Sequence, residues 1–367
     1  MLATKAARLF PLKAGPSRLA SRGLRTSPAT RAPSSSSPTN ATEPFAFLPS
    51  NTLPAKPRKR GLTEIRGPYY APVTATYLDE LLSDWGEYVD GIKFAGGSFT
   101  LMPPDRLSKL IDVAHKHNCY VSTGGFIERV LSASGGDRYV ITKYLEACKN
   151  MGFDVLELSS GFLSIPTEDW ASLVELTAAQ GLKPKPEIGI QWGAGGDASV
   201  EELESAGTRD PKWLIDRAKT FLDAGAYMIM IESEGITENV RSWRTDVISA
   251  VTSALPKEKI MFEAADPEVF AYHIQNQGAT ANLFIDHSQI VQLACLRKGI
   301  WGTGGALAFA LLFFLRVLLV GFPACSLVVL LSRVLPLLLL RLVGFLLAPC
   351  RSARALSFIF SRVVVLL

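Results

Sequence analysis

Tyr227-Met-Ile-Met-Ile231-Glu232-Ser233-Glu234 is a short apolar run that closes on two carboxylates, and a helical pattern over residues 238–255 follows it. A run of that length reads as a strand, because a buried helix needs ten or more residues. With side chains alternating at period two, Ile231 turns to one face of the sheet and Glu232 to the other. The same unit recurs along the chain. Apolar runs lie at 62–65, 91–94, 120–122, 155–158, 186–190, 227–231, 260–262 and 283–285, with helical patterns at 75–84, 105–117, 137–151, 168–179, 211–224, 238–255, 267–276 and 288–298. Thr167, Asp210 and Asp266 stand where N-caps belong, the latter two before a proline at the first helical turn. Eight alternating units in the 243 residues from 61 to 303 predict an α/β fold, a single (β/α)8 TIM barrel, whose usual size is about 250 residues. No Gly-x-Gly-x-x-Gly turn follows the first strand, which weighs against a dinucleotide-binding sheet.

The regions flanking the barrel differ from it in charge. Residues 1–60 hold eleven Lys/Arg and one acid, Glu43; residues 304–367 hold six Arg and no acid; the middle therefore carries a net charge of −12 inside a chain of net +4. An acidic domain without a Lys/Arg run excludes a nucleic-acid surface, since phosphate neutralisation needs clustered cations. Five cysteines without a Cys-x-x-Cys pair exclude a cysteine zinc ribbon and a disulfide-dense scaffold. Residues 1–55 read as a mitochondrial transit peptide and a disordered linker: seven Lys/Arg precede the first acid, Leu2, Ala6, Leu9 and Phe10 share a helical face, and Arg22-Gly-Leu-Arg25-Thr-Ser resembles a processing site. Residues 304–367 form an apolar tail dotted with Arg316, Arg333 and Arg341. A membrane span needs about 20 apolar residues, and a central Arg costs ~2.5–3.5 kcal/mol. Two readings stay open, a membrane-associated segment and a misread final exon.

Catalytic groups of such barrels stand at the carboxyl ends of the strands. Here those ends read Ile92-Lys93-Phe94, Leu156-Glu157-Leu158, Pro186-Glu187-Ile188, Ile231-Glu232, Phe262-Glu263-Ala264 and Ile285-Asp286-His287. By parity the flanking Ile, Leu and Phe face the helices, while Lys93 and the acids face the barrel axis. So many carboxylates in one mouth repel unless a cation or shifted pKa values relieve them, and Mg2+ is the simplest hard cation for oxygen ligands. Lys93 has three readings: partner of a substrate anion, general acid, or Schiff-base nucleophile; the surrounding acids, by keeping it protonated, favour the first. Gly96-Gly97, Gly124-Gly125 and Gly195-Gly196 follow strands and are either phosphate cradles or plain turns. His115 and His117 read as helix-end residues, and His273 has no informative neighbour.

Lys56-Pro-Arg-Lys-Arg60-Gly-Leu-Thr63, Val89-Asp-Gly-Ile-Lys93-Phe94, Leu156-Glu-Leu-Ser159-Ser160-Gly161, Asp223-Ala-Gly-Ala226, Ile231-Glu232, Met261-Phe-Glu263-Ala264 and the stretch from Asn282 to Gly299 together resemble the phosphosulfolactate synthases over residues 56–303. Gly67-Pro-Tyr69-Tyr70 and Asn282-Leu-Phe-Ile-Asp286-His287-Ser288 are similar to the plant heat-stress-associated branch and its fungal relatives. The resemblance implies Mg2+-dependent addition of sulfite to phosphoenolpyruvate, with Lys93, Glu187 and His287 as catalytic residues. It further implies Gly97, Ser98, Ser159, Ser160 and Arg297 at the small anionic substrate, and Glu157, Glu232, Glu263 and Asp286 toward the metal. The chain departs from the family where Glu187-Ile188-Gly189-Ile190-Gln191 replaces a Glu-Val-Gly-Lys-Lys whose lysine is the expected proton donor. Lys93 or His287 would have to substitute. Two alternatives remain, a Schiff-base aldolase-type lyase and a non-catalytic stress-related protein on the same fold; a homo-oligomer is compatible with either.

Overall fold

Eight short strands, all parallel and hydrogen-bonded in chain order, close into a barrel: β1 (Thr63–Arg66), β2 (Gly91–Phe94), β3 (Tyr120–Thr123), β4 (Val155–Leu158), β5 (Lys183–Ile188), β6 (Ile229–Ile231), β7 (Ile260–Glu263) and β8 (Leu283–Asp286). β8 returns to pair with β1 through Ile65 and Ile285. The structure, a computed structural model, describes residues 45–300 apart from 46, 49, 195–198, 208 and 209. The chain divides at residues 49/50, and the barrel belongs to the part that begins at Ser50. The expected transit peptide, all of the linker before residue 50 but three residues, and the apolar tail lie outside the described residues. Among the described residues no helix is long and apolar enough to cross a membrane.

The helices are α1 (Ala75–Trp85), α2 (Pro104–Lys116), α3 (Ile127–Ser134), α4 (Arg138–Met151), α5 (Thr167–Ala179), α6 (Val200–Ala206), α7 (Pro211–Asp223), α8 (Thr245–Ala254), α9 (Pro267–Gln277) and α10 (Ile290–Lys298). Strand parity sorts the apolar residues into two cores. Ile65, Ile92, Val121, Leu156, Ile231, Phe262 and Ile285 join the helices in the large outer core. Met228, Met230, Met261 and Phe284 fill the barrel interior with Leu62. Each buried aliphatic or aromatic side chain contributes about 1.5–3 kcal/mol, so the outer ring carries the stability of the fold. Asp210 and Asp266 cap α7 and α9, accepting from the amides of Lys212 and Glu268.

Several elements differ from expectation. β5 begins at Lys183, not at residue 186. Pro184 and Pro186 suggest a loop, but they fall on alternate positions and leave Lys183, Lys185 and Glu187 with N–H groups for the ladder. The helix expected over 238–255 is only α8, because residues 233–244 fold into a loop in which Asn239 takes φ 51° and three amides converge on the Ser233 carbonyl. Thr167 lies inside the first turn of α5, after Pro166, and does not cap it. α3 and α6 are too short to have shown a helical period.

The amino end of the barrel is sealed by charges with fixed partners. Arg58 pairs with Asp90 at 3.0 Å and donates to the Glu87 and Pro54 carbonyls, while the other Asp90 oxygen accepts from the Thr63 amide. The Lys56 ammonium donates to the carbonyls of Gly86, Val89 and His117. Gly91, on the inner face, leaves room for the Tyr120 ring, which would lie 2.2 Å from any Cβ there.

Candidate active site

At the carboxyl end, β2, β4, β5 and β7 aim one lysine and three acids at a common point. The Lys93 ammonium lies 2.9 Å from Glu157, 3.3 Å from Glu187 and 3.3 Å from Glu263, with the Phe284 ring 4.5 Å away. One layer down, fully buried Lys185 is 2.5 Å from Glu64 and 3.3 Å from the other oxygen of Glu157. Glu64, Lys185, Glu157 and Lys93 thus form a chain of alternating charge through the barrel. Beside it, Glu232 and Glu263 share a hydrogen bond, and Glu232 also accepts from the Glu234 amide at 3.0 Å.

The charge balance sorts the acids by protonation. Burial, then the neighbouring Glu157 charge, pushes Glu187 up to about 8, so that it carries its proton at neutral pH. Burial, Glu263 and Glu187 likewise raise Glu232 well above the usual carboxylate range. Burial acts on Glu263 in the same direction, but Lys93 and the hydrogen bond from Glu232 overcome it and hold the group below its ordinary value. Lys93 is disfavoured by burial, yet Glu157, Glu187, Glu263 and Glu64 outweigh that and raise it well above its ordinary value.

These groups floor a cavity of about 350 Å3 whose wall includes Arg66, Tyr69, Tyr70, Arg129 and Phe162. Gly97, at φ 71°, brings the backbone after β2 against the Phe126 ring, where a Cβ would sit 2.1 Å from it. Glu128 ties the wall together, accepting from the Ser159 hydroxyl at 2.5 Å and the Phe162 amide at 2.8 Å. A larger cavity of about 540 Å3, lined by Leu131, Ile141, Leu163 and Trp170 among others, lies outside the barrel and gathers no cluster of acids and bases.

The structure brings together Lys93, Glu157, Glu187, Glu232, Glu263 and Ser159 around this cavity. It does not bring in the rest. Arg297 is on α10 at the opposite end of the barrel, buried, donating to the carbonyls of Ala281, Ala279 and Leu62, which removes it from the substrate-binding set. Asp286 caps the turn after β8, accepting from the Ser288 amide and hydroxyl, and is no wall residue. His287 stands against the Arg66 carbonyl at 3.2 Å and the Tyr77 ring, beside the cavity and not on its wall. Ser160 is half-buried off the wall, and the Ser98 hydroxyl is buried with no partner among the described residues. Sequence reading missed Glu64, Arg66, Lys185, Glu128 and Arg129. Glu64 and Arg66 have the same parity as the flagged acids on a recognised strand; Lys185 was hidden by the prolines, and Glu128 and Arg129 by a helix without a visible period.

Among the described residues no group of three or more His, Cys, Asp or Glu stands at metal-chelating spacing. In donor chemistry Glu232 and Glu263 nonetheless fit a hard divalent cation: both are carboxyls on the cavity wall, and burial followed by the Glu263 and Glu187 charges raises Glu232, a strain that a bound cation would relieve.

Comparison with known proteins bears on the whole barrel. The model of the (2R)-phospho-3-sulfolactate synthase family matches residues 51–303. Protein HEAT-STRESS-ASSOCIATED 32 of Arabidopsis thaliana is 37% identical over 262 residues, covering 69% of this chain and 91% of the plant protein. Phosphosulfolactate synthase of Methanothermobacter thermautotrophicus is 28% identical over 254 residues, covering 67% and 92%. Among solved structures, the carboxyl transferase domain of Rhizobium etli pyruvate carboxylase superposes with a TM-score of 0.43 at 13% identity over 64% of this chain and 41% of that one. The closed barrel, the acid-ringed lysine of its mouth and the match across nearly its full length agree: the chain belongs to the phosphosulfolactate synthase family.

Proposed function

We propose that the barrel is a carbon–sulfur lyase of the phosphosulfolactate synthase type, adding sulfite to phosphoenolpyruvate or a related enol phosphate. The sulfur lone pair attacks the methylene carbon, the π electrons move onto the adjacent carbon and its carboxylate, and a proton then lands on that carbon. One C–S and one C–H bond form, and nothing leaves. The observation that carries this reading is Glu187, a wall carboxyl that keeps its proton to about pH 8. Such a group is matched to general-acid work near neutrality. It takes the place of the lysine absent at 190–191, where Ile190 is buried in the core and Gln191 donates to the Leu203 carbonyl. Lys93, locked among three acids, contributes fixed positive charge beneath the developing enolate. An ammonium so held is a poor amine nucleophile, which disfavours the Schiff-base alternative. Glu232 and Glu263 would hold Mg2+, which when bound supplies charge neutralisation at the substrate carboxylate. Import into mitochondria through the basic leader belongs to the same proposal.

The test is 31P NMR of phosphoenolpyruvate with sulfite, Mg2+ and the full-length chain. A new phosphate-ester resonance that depends on sulfite is expected. Unchanged phosphoenolpyruvate under all three additions would favour the second reading, a protein that kept the fold and lost the chemistry, for which the replaced lysine pair already speaks.

A further inference from the structure

Lys93 is surrounded by three carboxylates and has no donor to spare for a substrate anion. Two other cations face the same cavity, Arg66 and Arg129. Arg66 ends β1, in register with Lys93 on β2. Its guanidinium lies over two rings, 4.7 Å from the centre of Tyr70 and 5.2 Å from that of Phe284, with 15% of the side chain exposed. Stacking on aromatic faces fixes the plane of the fork while leaving its edge N–H groups unused.

Among the described residues those N–H groups lack a strong acceptor. Nε is buried without a hydrogen-bond partner among the described residues. The nearest acid, Asp286, is 3.7 Å from Nη1, well beyond the 2.7–2.9 Å typical of a charge-assisted hydrogen bond, and its other oxygen is occupied by the Ser288 amide and hydroxyl. A rigid guanidinium that lines a cavity with its donors unspent is arranged for an incoming oxyanion, since planar carboxylates and phosphates match its fork. Arg129, exposed on α3 across the rim, makes no ion pair among the described residues and adds positive charge to the same opening.

We propose that Arg66 is the anion-binding residue of the cavity, gripping the phosphate or carboxylate oxygens of the substrate while Arg129 draws the anion in from the rim. This rests on the reading of the mouth as a site for a small organic anion. It places substrate recognition on the outer tier, above a floor reserved for proton handling.

Calorimetric titration of the full-length chain, without sulfite, tests it with three probes: phosphoenolpyruvate, inorganic phosphate and oxalate. Arg66→Met should weaken phosphoenolpyruvate binding at least about tenfold and Arg66→Lys by a smaller factor, since lysine keeps the charge and loses the fork. Asp286→Asn should stay within about twofold of the parent if its turn-capping role is separate from binding. Whichever of inorganic phosphate and oxalate loses affinity in Arg66→Met identifies the group that Arg66 grips. Binding by Arg66→Met within twofold of the parent overturns the proposal. So does an Asp286→Asn variant as weak as Arg66→Met, which would make Arg66 a structural partner. Circular dichroism establishes that each variant is folded, and Arg66→Lys keeps the question answerable if the methionine variant is not. A chain that turns over no phosphoenolpyruvate with sulfite but binds inorganic phosphate through Arg66 loses the proposed reaction and keeps the subsite; turnover with Arg66 dispensable for binding does the reverse.

Discussion

The two ends of the barrel bury charge in opposite ways. At the amino end the charges meet partners of fixed geometry: buried Arg58 has Asp90, half-buried Lys56 has three carbonyls, and Arg297, 2% exposed, has three more. At the carboxyl end Lys93 faces Glu157, Glu187 and Glu263, and Glu232 has to share a proton. Arg58 and Arg297 at one end are buried, as are Lys93 and Glu157 at the other, so burial alone does not mark function. The mark is charge in excess of its partners, which the folded state relieves by holding protons that isolated carboxyls would release.

The largest contrast should come from substituting one residue at each end. Glu187→Gln should lower kcat about 10²–10⁴-fold, the range general acid–base groups supply, with little change in melting temperature. Arg297→Met should do the opposite. Three backbone carbonyls lose their donor, and stability should fall by about 3–5 kcal/mol in denaturant titration while turnover per folded molecule holds. If Glu187→Gln unfolds the protein or Arg297→Met spares its stability, the division between the ends fails.

The buried ladder between the ends sharpens the comparison. Lys185→Met alone leaves Glu64 uncompensated and should cost ~3–5 kcal/mol, whereas Glu64→Leu with Lys185→Met should recover most of that loss. A double variant as unstable as the single would mean that the pair is not self-contained and that Glu157 depends on Lys185.

A pH profile gives a smaller effect. The acid form of Glu187 is the working form, so turnover should fall about tenfold per unit as pH rises past about 8, and Glu187→Gln should lose that limb. The same raised value makes the folded state bind a proton that the unfolded chain releases. Its contribution to stability is therefore present at low pH and lost between the ordinary carboxyl value and about 8. The smallest effect belongs to His287→Ala, which should leave kcat within about twofold, because the ring stands against the Arg66 carbonyl and Tyr77 beside the cavity.

Period and parity were legible in the chain. Apolar runs separated by helical patterns determined eight units, and a charge placed after an Ile, Leu, Phe or, at 186, a Pro determined that Lys93, Glu157, Glu187, Glu232 and Glu263 point inward, because side-chain alternation is a local property of any strand. Height along the axis and contact across it were not. The closed barrel sets strands with different starting points side by side, so Arg297, carried on α10, reaches the Leu62 carbonyl at the amino end, while Lys185, one pleat below Glu187, meets Glu64 from four strands away. Which of two neighbouring carboxyls keeps a proton depends on distances of 2.9 and 3.3 Å between residues 64 to 170 positions apart. Only the closed barrel brings those groups together, since no local pattern in the chain encodes the separation of side chains drawn from different strands.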